Sequence, residues 1–123
     1  MRLLLVGVAG FFGAITRYAV DQWISERVIG AFPWGTFAIN VSGSFLLGAL
    51  FVLLTERLSP HPNVRFALMT GFLGAYTTFS TFALETRRLA EDGALGLAAV
   101  NVVASVTMAL VGVWLGMALV RAQ

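Results

Sequence analysis

The sequence predicts an all-α membrane protein with four transmembrane helices per subunit. Of its 123 residues, 59% are hydrophobic and only 11% are charged, and the mean hydropathy is +0.87. A soluble domain of this size exposes more polar surface than such a composition supplies. The chain also divides into four apolar segments, each long enough to provide the roughly 20 residues that a membrane-crossing helix needs.

The four predicted spans cover residues 3–25, 34–55, 64–85 and 94–120. The connections between them are short, so we expect neighbouring spans to run antiparallel. Since no linker, low-complexity tract or internal repeat is visible, we expect residues 1–123 to form a single transmembrane domain. The first residues also resemble a secretory signal peptide. Because the apolar pattern continues past Arg17 and three further apolar segments follow, we expect span 1 to stay in the mature protein.

The charged residues and the absence of Cys exclude several classes of protein. All eight basic residues are Arg, and the formal net charge is +2. No basic run or patch interleaved with aromatic residues is present, so we do not expect a nucleic-acid surface. Without Cys, disulfides, thiolate zinc sites and cysteine nucleophiles are excluded. The single His lies between two prolines in a loop, and no nucleophile–base spacing is present, so we do not expect an enzyme.

The distribution of Arg between the two sides of the membrane predicts dual topology. Helical membrane proteins are oriented by an excess of Lys and Arg in cytoplasmic loops. The side that holds the N-terminus, the second loop and the C-terminus has Arg2, Arg57, Arg65 and Arg121. The opposite side has Arg27, Arg87 and Arg88, and also Arg17 if its side chain extends toward that side. Because the bias is negligible, we expect insertion in both orientations and an antiparallel homodimer. The alternatives are that another feature sets the orientation, or that only one orientation folds.

Small residues spaced four apart predict close packing of helix backbones. Three pairs have this spacing: Gly10 with Ala14, Ser44 with Gly48, and Gly112 with Gly116. Such pairs can serve contacts within one subunit as readily as contacts between subunits, and the sequence leaves both open.

Arg17 and Asp21 lie four residues apart on span 1 and therefore share a helix face. One interpretation is an ion pair near the membrane interface, with the Arg side chain extended toward water. The other is that Arg17 lines a vestibule that attracts anions.

The middle of span 3 carries an unusual concentration of glycine and hydroxyl residues. Gly71 and Gly74 are followed by Thr77, Thr78, Ser80 and Thr81, interleaved with two Phe. Gly lowers helix propensity by about 1 kcal/mol, and β-branched Thr lowers it further. We therefore predict that the third helix breaks near residues 74–78, where freed carbonyls would suit a hard cation such as Na⁺. The alternative is an unbroken helix whose hydroxyls bond back to preceding carbonyls.

The two phenylalanines of this segment, Phe79 and Phe82, are three residues apart and share a helix face. Such a pair usually packs in a core. An aromatic ring has a positive edge, however, so rings turned edge-on can face an anion where a full charge is too costly. On span 4, Asn101 and Ser105 are four apart and could continue a polar track.

Three stretches of the sequence resemble the small fluoride channels known as Fluc or CrcB proteins. They are residues 10–18 (GFFGAITRY), 35–48 (GTFAINVSGSFLLG) and 71–82 (GFLGAYTTFSTF). The Thr-Thr-Phe-Ser-Thr-Phe run is highly specific, and the chain length and the number of spans also match the family. One departure is Phe11, where the family often has a second Gly, and this position concerns packing.

The resemblance implies a specific assembly and a specific site. Family members are antiparallel dual-topology homodimers with two separate fluoride pathways, and they relieve fluoride toxicity in microbes. By similarity, Phe79 and Phe82 are the anion-facing rings, and Asn40 is a pore-lining amide that donates to fluoride. Gly74 and Thr77 would offer backbone carbonyls to a structural Na⁺ on the dimer axis. The other pathway residues would be Glu85 at the vestibule, Ser80, Thr81, Ser105 and Arg17. The expected location is a bacterial inner membrane.

The main competing function is that of a small dual-topology multidrug transporter, which also has four helices. Such a transporter needs a membrane-embedded carboxylate that exchanges protons for a cationic drug. The acids available are Asp21, near the end of span 1, and Glu85, at the end of span 3. A purely structural membrane protein is a further alternative, for which a buried Asn40 would be an unneeded cost. We therefore predict a fluoride-selective channel that exports cytoplasmic fluoride.

Overall fold

The structure, a computed structural model, describes residues 1–123 and consists of helices joined by short turns, with no strand. Three helices are long and apolar enough to cross a membrane. They are α1 (Arg2–Ser25), α2 (Trp34–Val52) with its continuation as a π-helical turn (Leu53–Arg57), and α6 (Leu95–Arg121). The shorter helices α3, α4 and α5 lie between α2 and α6 in the chain and are described below. The all-helical membrane class predicted from the composition is therefore confirmed.

The third predicted span is divided into two half-helices. The first half-helix, residues 62–76, consists of α3 (Pro62–Arg65), a π-helical segment (Phe66–Leu73) and α4 (Gly74–Tyr76). Thr77 and Thr78 are extended, with φ/ψ of −81°/156° and −148°/120°. The second half-helix is α5 (Phe79–Glu91). The break thus falls inside the range that the glycine and threonine pattern predicts.

The second half-helix is longer than predicted. We expected span 3 to end at Glu85, whereas α5 continues to Glu91. Arg87 Nε lies 2.9 Å from Glu91 Oε1, an ion pair one helical turn apart that stabilises the extension. Arg87 and Arg88 are therefore helical residues.

Contacts between the chain's turns show that the successive passes alternate in direction. At one end of the bundle, Arg2 Nε donates to Asn63 Oδ1 at 3.3 Å, and Arg121 Nε donates to Glu56 Oε2 at 3.1 Å. These contacts bring together both chain termini and the turn between the second and third passes. At the opposite end, residues from the end of α1, the start of α2 and the end of α5 line one cavity. The antiparallel order of neighbouring spans follows.

Glycines bring two pairs of passes into direct backbone contact. A Cβ on Gly48 would overlap the Val113 carbonyl, and one on Gly116 would overlap the Phe45 carbonyl, so α2 and α6 touch directly. Likewise, a Cβ on Gly13 would overlap the Phe72 carbonyl, which fixes α1 against the π-helical segment. The predicted small-residue pairs on α2 and α6 therefore serve contacts within the subunit.

Little of the chain is buried within one subunit. Only 19 of 123 residues are buried, and the central cluster consists of Ile39, Leu73 and Tyr76. Large apolar side chains face outward along α1 and α6. Such a surface suits a chain that is surrounded by lipid or by a second subunit.

Replacing Gly116 with Ala should destabilise the protein, because the added methyl group would overlap the Phe45 carbonyl. We expect a loss of about 1–3 kcal/mol of unfolding free energy, measured by thermal unfolding in detergent. Gly96→Ala, on the same helix, is the matched control, since nothing lies within 4 Å of its added Cβ. Equal effects of the two substitutions would contradict this account of the α2–α6 contact.

Candidate functional site

The break in the third pass is closed by the side chain of Asn40, from the middle of α2. Asn40 Nδ2 donates to the Thr78 carbonyl at 2.9 Å, and the Thr78 N–H donates to Asn40 Oδ1 at 2.8 Å. An unpaired backbone group at membrane depth costs several kcal/mol. Asn40 therefore supplies both of the partners that the extended conformation removes from Thr78.

The hydroxyl residues of the segment have separate structural tasks. Thr78 Oγ1 accepts from the Thr81 N–H at 3.3 Å, so Thr78 is the N-cap of α5. Its own proton goes to Thr81 Oγ1, 3.0 Å away, and Ser80 Oγ lies 3.5 Å from Thr78 Oγ1. Thr77 Oγ1 instead donates to the preceding Leu73 carbonyl at 3.0 Å. The bonding back to carbonyls that we weighed as an alternative therefore occurs, but at Thr77 alone and beside a real break.

A groove of about 290 Å³ lies beside the break. It brings together six of the predicted site residues: Asn40, Gly74, Thr77, Phe79, Phe82 and Ser105. These positions come from α2, both half-helices and α6, so the break places residues distant in sequence around one space.

The two aromatic rings of the groove differ in their surroundings. Phe82 is buried, whereas Phe79 is 78% exposed in the single chain. Their ring centroids lie 5.5 Å apart with an angle of 46° between the planes. Phe79 therefore extends from the wall toward the open side of the groove.

The backbone at the break fits the predicted Na⁺ ligands. The ordinary helical donor to the Gly74 carbonyl is the Thr78 N–H, which is bonded to Asn40 instead. The Thr77 carbonyl also accepts no hydrogen bond, because the Thr81 N–H bonds to Thr78 Oγ1. Both residues line the groove. Carbonyl oxygens freed in this way are suitable ligands for a hard monovalent cation.

Arg17 and Thr81 lie outside the groove, in a smaller cleft of about 170 Å³ between α1, α2 and α5. Asp21, Thr36 and Thr78 also line this cleft, so Thr78 borders both spaces. Arg17 and Asp21 form no ion pair within 4 Å. The ion-pair interpretation of these two residues is wrong, because the Asp21 carboxylate packs against Gly35 at the start of α2 instead of pairing with Arg17.

Glu85 lines a cavity of about 520 Å³ at the end of the bundle, together with Asp21, Arg88 and Asp92. Thr36 Oγ1 donates to Glu85 Oε1 at 2.9 Å, while Oε2 is buried without a partner. A role for Glu85 in a vestibule stays a prediction. Ser80 is exposed and borders none of these three cavities.

Two residues of the site were missed in the sequence, Thr36 and Thr86. Thr36 lies one helical turn before Asn40 on α2, and this spacing is the signal that could have identified it. Thr86 Oγ1 donates to the Phe82 carbonyl at 2.8 Å and accepts from Asn101 Nδ2 at 2.9 Å. Asn101 and Ser105 do adjoin each other as their spacing predicts, with Ser105 Oγ 3.2 Å from Asn101 Oδ1.

Comparison with known proteins identifies the family. Residues 4–117 match the family described as CrcB-like protein, Camphor Resistance (CrcB). A protein of Acidobacterium capsulatum named fluoride-specific ion channel FluC is 47% identical over 117 residues, which cover 95% of this chain and 94% of that protein. Proteins of the same name from Solibacter usitatus and Rhizobium meliloti are 46% and 43% identical, with at least 97% of every chain covered. The resemblance in the three motifs is confirmed, and the chain belongs to the CrcB-like family.

Proposed function

We propose that the chain is one subunit of a fluoride-selective channel that lets toxic fluoride leave the cytoplasm down its electrochemical gradient. The groove supports this most directly, because the amide of Asn40, the rings of Phe79 and Phe82 and the hydroxyl of Ser105 meet there without a fixed positive charge. Relatives that cover nearly the whole chain carry the name fluoride-specific ion channel.

The chemistry of the groove suits a small, strongly hydrated anion. A selective path must replace the water around the ion with donors, and it must hold the ion weakly enough for it to leave. An amide nitrogen carries two protons. One proton of Asn40 Nδ2 is bonded to the Thr78 carbonyl, so the second is available to an ion. Ring edges supply partial positive charge without the tight binding of an Arg or Lys.

We also propose an antiparallel dimer with two such pathways, in a bacterial inner membrane. One side of the groove is open in the single chain, where Gly74 and the ring of Phe79 are exposed. The nearly even distribution of Arg between the two sides supports insertion in both orientations. A second, inverted copy would cover the exposed ring and bring its own break to the same axis.

In such a dimer, the Gly74 and Thr77 carbonyls of the two copies would hold one structural Na⁺. The bound ion would supply the positive charge that offsets four converging carbonyl dipoles. Gly43 matters for this arrangement, because its lack of a side chain lets α2 pack directly on the Thr77 methyl group.

Purified protein in liposomes should release fluoride rapidly and chloride slowly, as followed with ion-selective electrodes. Phe79→Ile and Phe82→Ile should each abolish fluoride efflux, because an aliphatic side chain has no positive ring edge to face the anion. Phe12→Ile is the matched control, since Phe12 is exposed on α1 and lies outside the groove. Proton-coupled transport of ethidium in place of fluoride efflux would instead support a multidrug transporter.

Asn40→Ala should both destabilise the protein and abolish fluoride efflux. It would leave the N–H and the carbonyl of Thr78 without partners, at about 1–3 kcal/mol for each group. Ser44→Ala is the control for stability, because Ser44 lines the same groove but makes no hydrogen bond to Thr78. Thermal unfolding in detergent and liposome efflux are measured on both variants. An Asn40→Ala protein with wild-type stability would show that the break does not depend on this amide.

Removal of Na⁺, by exchange into a buffer with N-methylglucamine as the only cation, should dissociate the dimer and stop efflux. Gly43→Ala should have a similar effect in the presence of Na⁺, because its methyl group would displace Thr77. Gly7→Ala, with nothing within 4 Å of the added Cβ, should behave as wild type. Light scattering after size-exclusion chromatography measures the dimer fraction. A dimer and an efflux rate indifferent to Na⁺ would refute the proposed ion site.

A further inference from the structure

A chain of hydrogen bonds runs behind the groove and connects α5 to α6. Ser105 Oγ donates to Asn101 Oδ1 at 3.2 Å, Asn101 Nδ2 donates to Thr86 Oγ1 at 2.9 Å, and Thr86 Oγ1 donates to the Phe82 carbonyl at 2.8 Å. The chain starts at the backbone of one ring residue and ends at a hydroxyl of the same groove. Asn101, in its middle, is only 1% exposed.

The direction of these bonds is set at the Phe82 end. A carbonyl oxygen can only accept, so the Thr86 hydroxyl must give its single proton to Phe82. The Thr86 oxygen is then an acceptor, and it requires the NH₂ group of Asn101 on its side. The amide oxygen therefore faces Ser105 and takes the only proton of that hydroxyl.

The reversed amide orientation loses a hydrogen bond. If Asn101 Oδ1 faced Thr86, either two acceptor oxygens would adjoin each other, or the Thr86 proton would leave the Phe82 carbonyl. In the observed orientation, each side-chain oxygen and nitrogen of the chain has a hydrogen-bond partner. As a result, the groove receives the lone pairs of Ser105 and not its proton.

We propose, on the basis of the fluoride channel inferred above, that Asn101 is a positioning residue that weakens fluoride binding at Ser105. To donate to an anion in the groove, Ser105 must turn its proton away from Asn101. This leaves the amide oxygen of a buried Asn without a partner, which opposes the turn. Ser105 therefore holds an ion loosely, as a site must where ions pass in succession.

The test is the fluoride concentration that half-saturates efflux from liposomes, compared between wild type and Asn101→Leu. Leu has a similar volume, leaves Thr86 bonded to the Phe82 carbonyl and frees the Ser105 proton for the groove. We expect the half-saturating concentration to fall by about threefold to tenfold, the range that one hydrogen bond supplies. The maximal rate should fall as well, because the ion leaves more slowly.

The double variant Asn101→Leu/Ser105→Ala should lose this gain in affinity, since no hydroxyl remains to donate. A purely structural Asn101 would instead lower stability and leave the half-saturating concentration unchanged in both variants. That outcome overturns the proposal, as does a gain in affinity that persists without Ser105.

Thr86→Val provides a second route in case Asn101→Leu does not fold. Loss of the Thr86 oxygen removes the acceptor that orients the amide, so Asn101 can reverse and donate to Ser105, whose proton then faces the groove. The same fall in the half-saturating concentration is expected. Thr107→Val, an exposed position on α6 outside the chain of hydrogen bonds, is the control. If liposomes that contain the wild-type protein release no fluoride, the proposed channel itself is refuted. If the wild-type protein conducts fluoride normally but the variants have an unchanged half-saturating concentration, only the role of Asn101 is refuted.

Discussion

The structure depends on satisfying the backbone polar groups at one interrupted helix inside an apolar bundle. Thr77 and Thr78 leave the helical conformation in the middle of the third pass, and backbone groups freed inside an apolar bundle need new partners. Asn40 binds both backbone groups of Thr78, and Thr78 in turn caps α5. As a result, both backbone groups of Thr78 are paired, whereas the carbonyls of residues 74–77, at the end of the first half-helix, accept no hydrogen bond. Of these four residues, Gly74 and Thr77 line the groove.

This arrangement requires α2 to lie very close to its neighbours, and glycines make that possible. Gly43 lets the backbone of α2 approach the Thr77 methyl group, which brings Asn40 within reach of the break. Gly48 and Gly116 fix the other face of α2 against α6. The position of the Asn40 amide therefore depends on close packing on both faces of α2, and a close-packed interface transmits small displacements.

Much of the architecture followed from local sequence properties. Composition indicated the membrane class, and the break was located because Gly74 and the threonines after it disfavour a helix locally. The features that were not predicted depend on contacts between distant residues. Asn40 and Thr78 are 38 positions apart, and the role of the amide at the break exists only once α2 packs on the third pass. The cleft that holds Arg17 and Asp21 is likewise formed by three helices together.

The two bonds from Asn40 to Thr78 also restrict its motion. With both amide atoms engaged, the side chain can neither rotate nor invert without separating two pairs of partners. Its remaining N–H is thus oriented when the protein folds, so in the proposed channel an arriving ion would cause no reorganisation there, as with a preorganised dipole. The hydroxyl of Ser105 donates to Asn101 and turns about a single rotatable bond, so in the same channel it would have to reorient for each ion. The groove therefore combines a rigid donor, the Asn40 amide, with an adaptable one, the Ser105 hydroxyl. Only the Ser105 hydroxyl would lose conformational entropy when an ion binds.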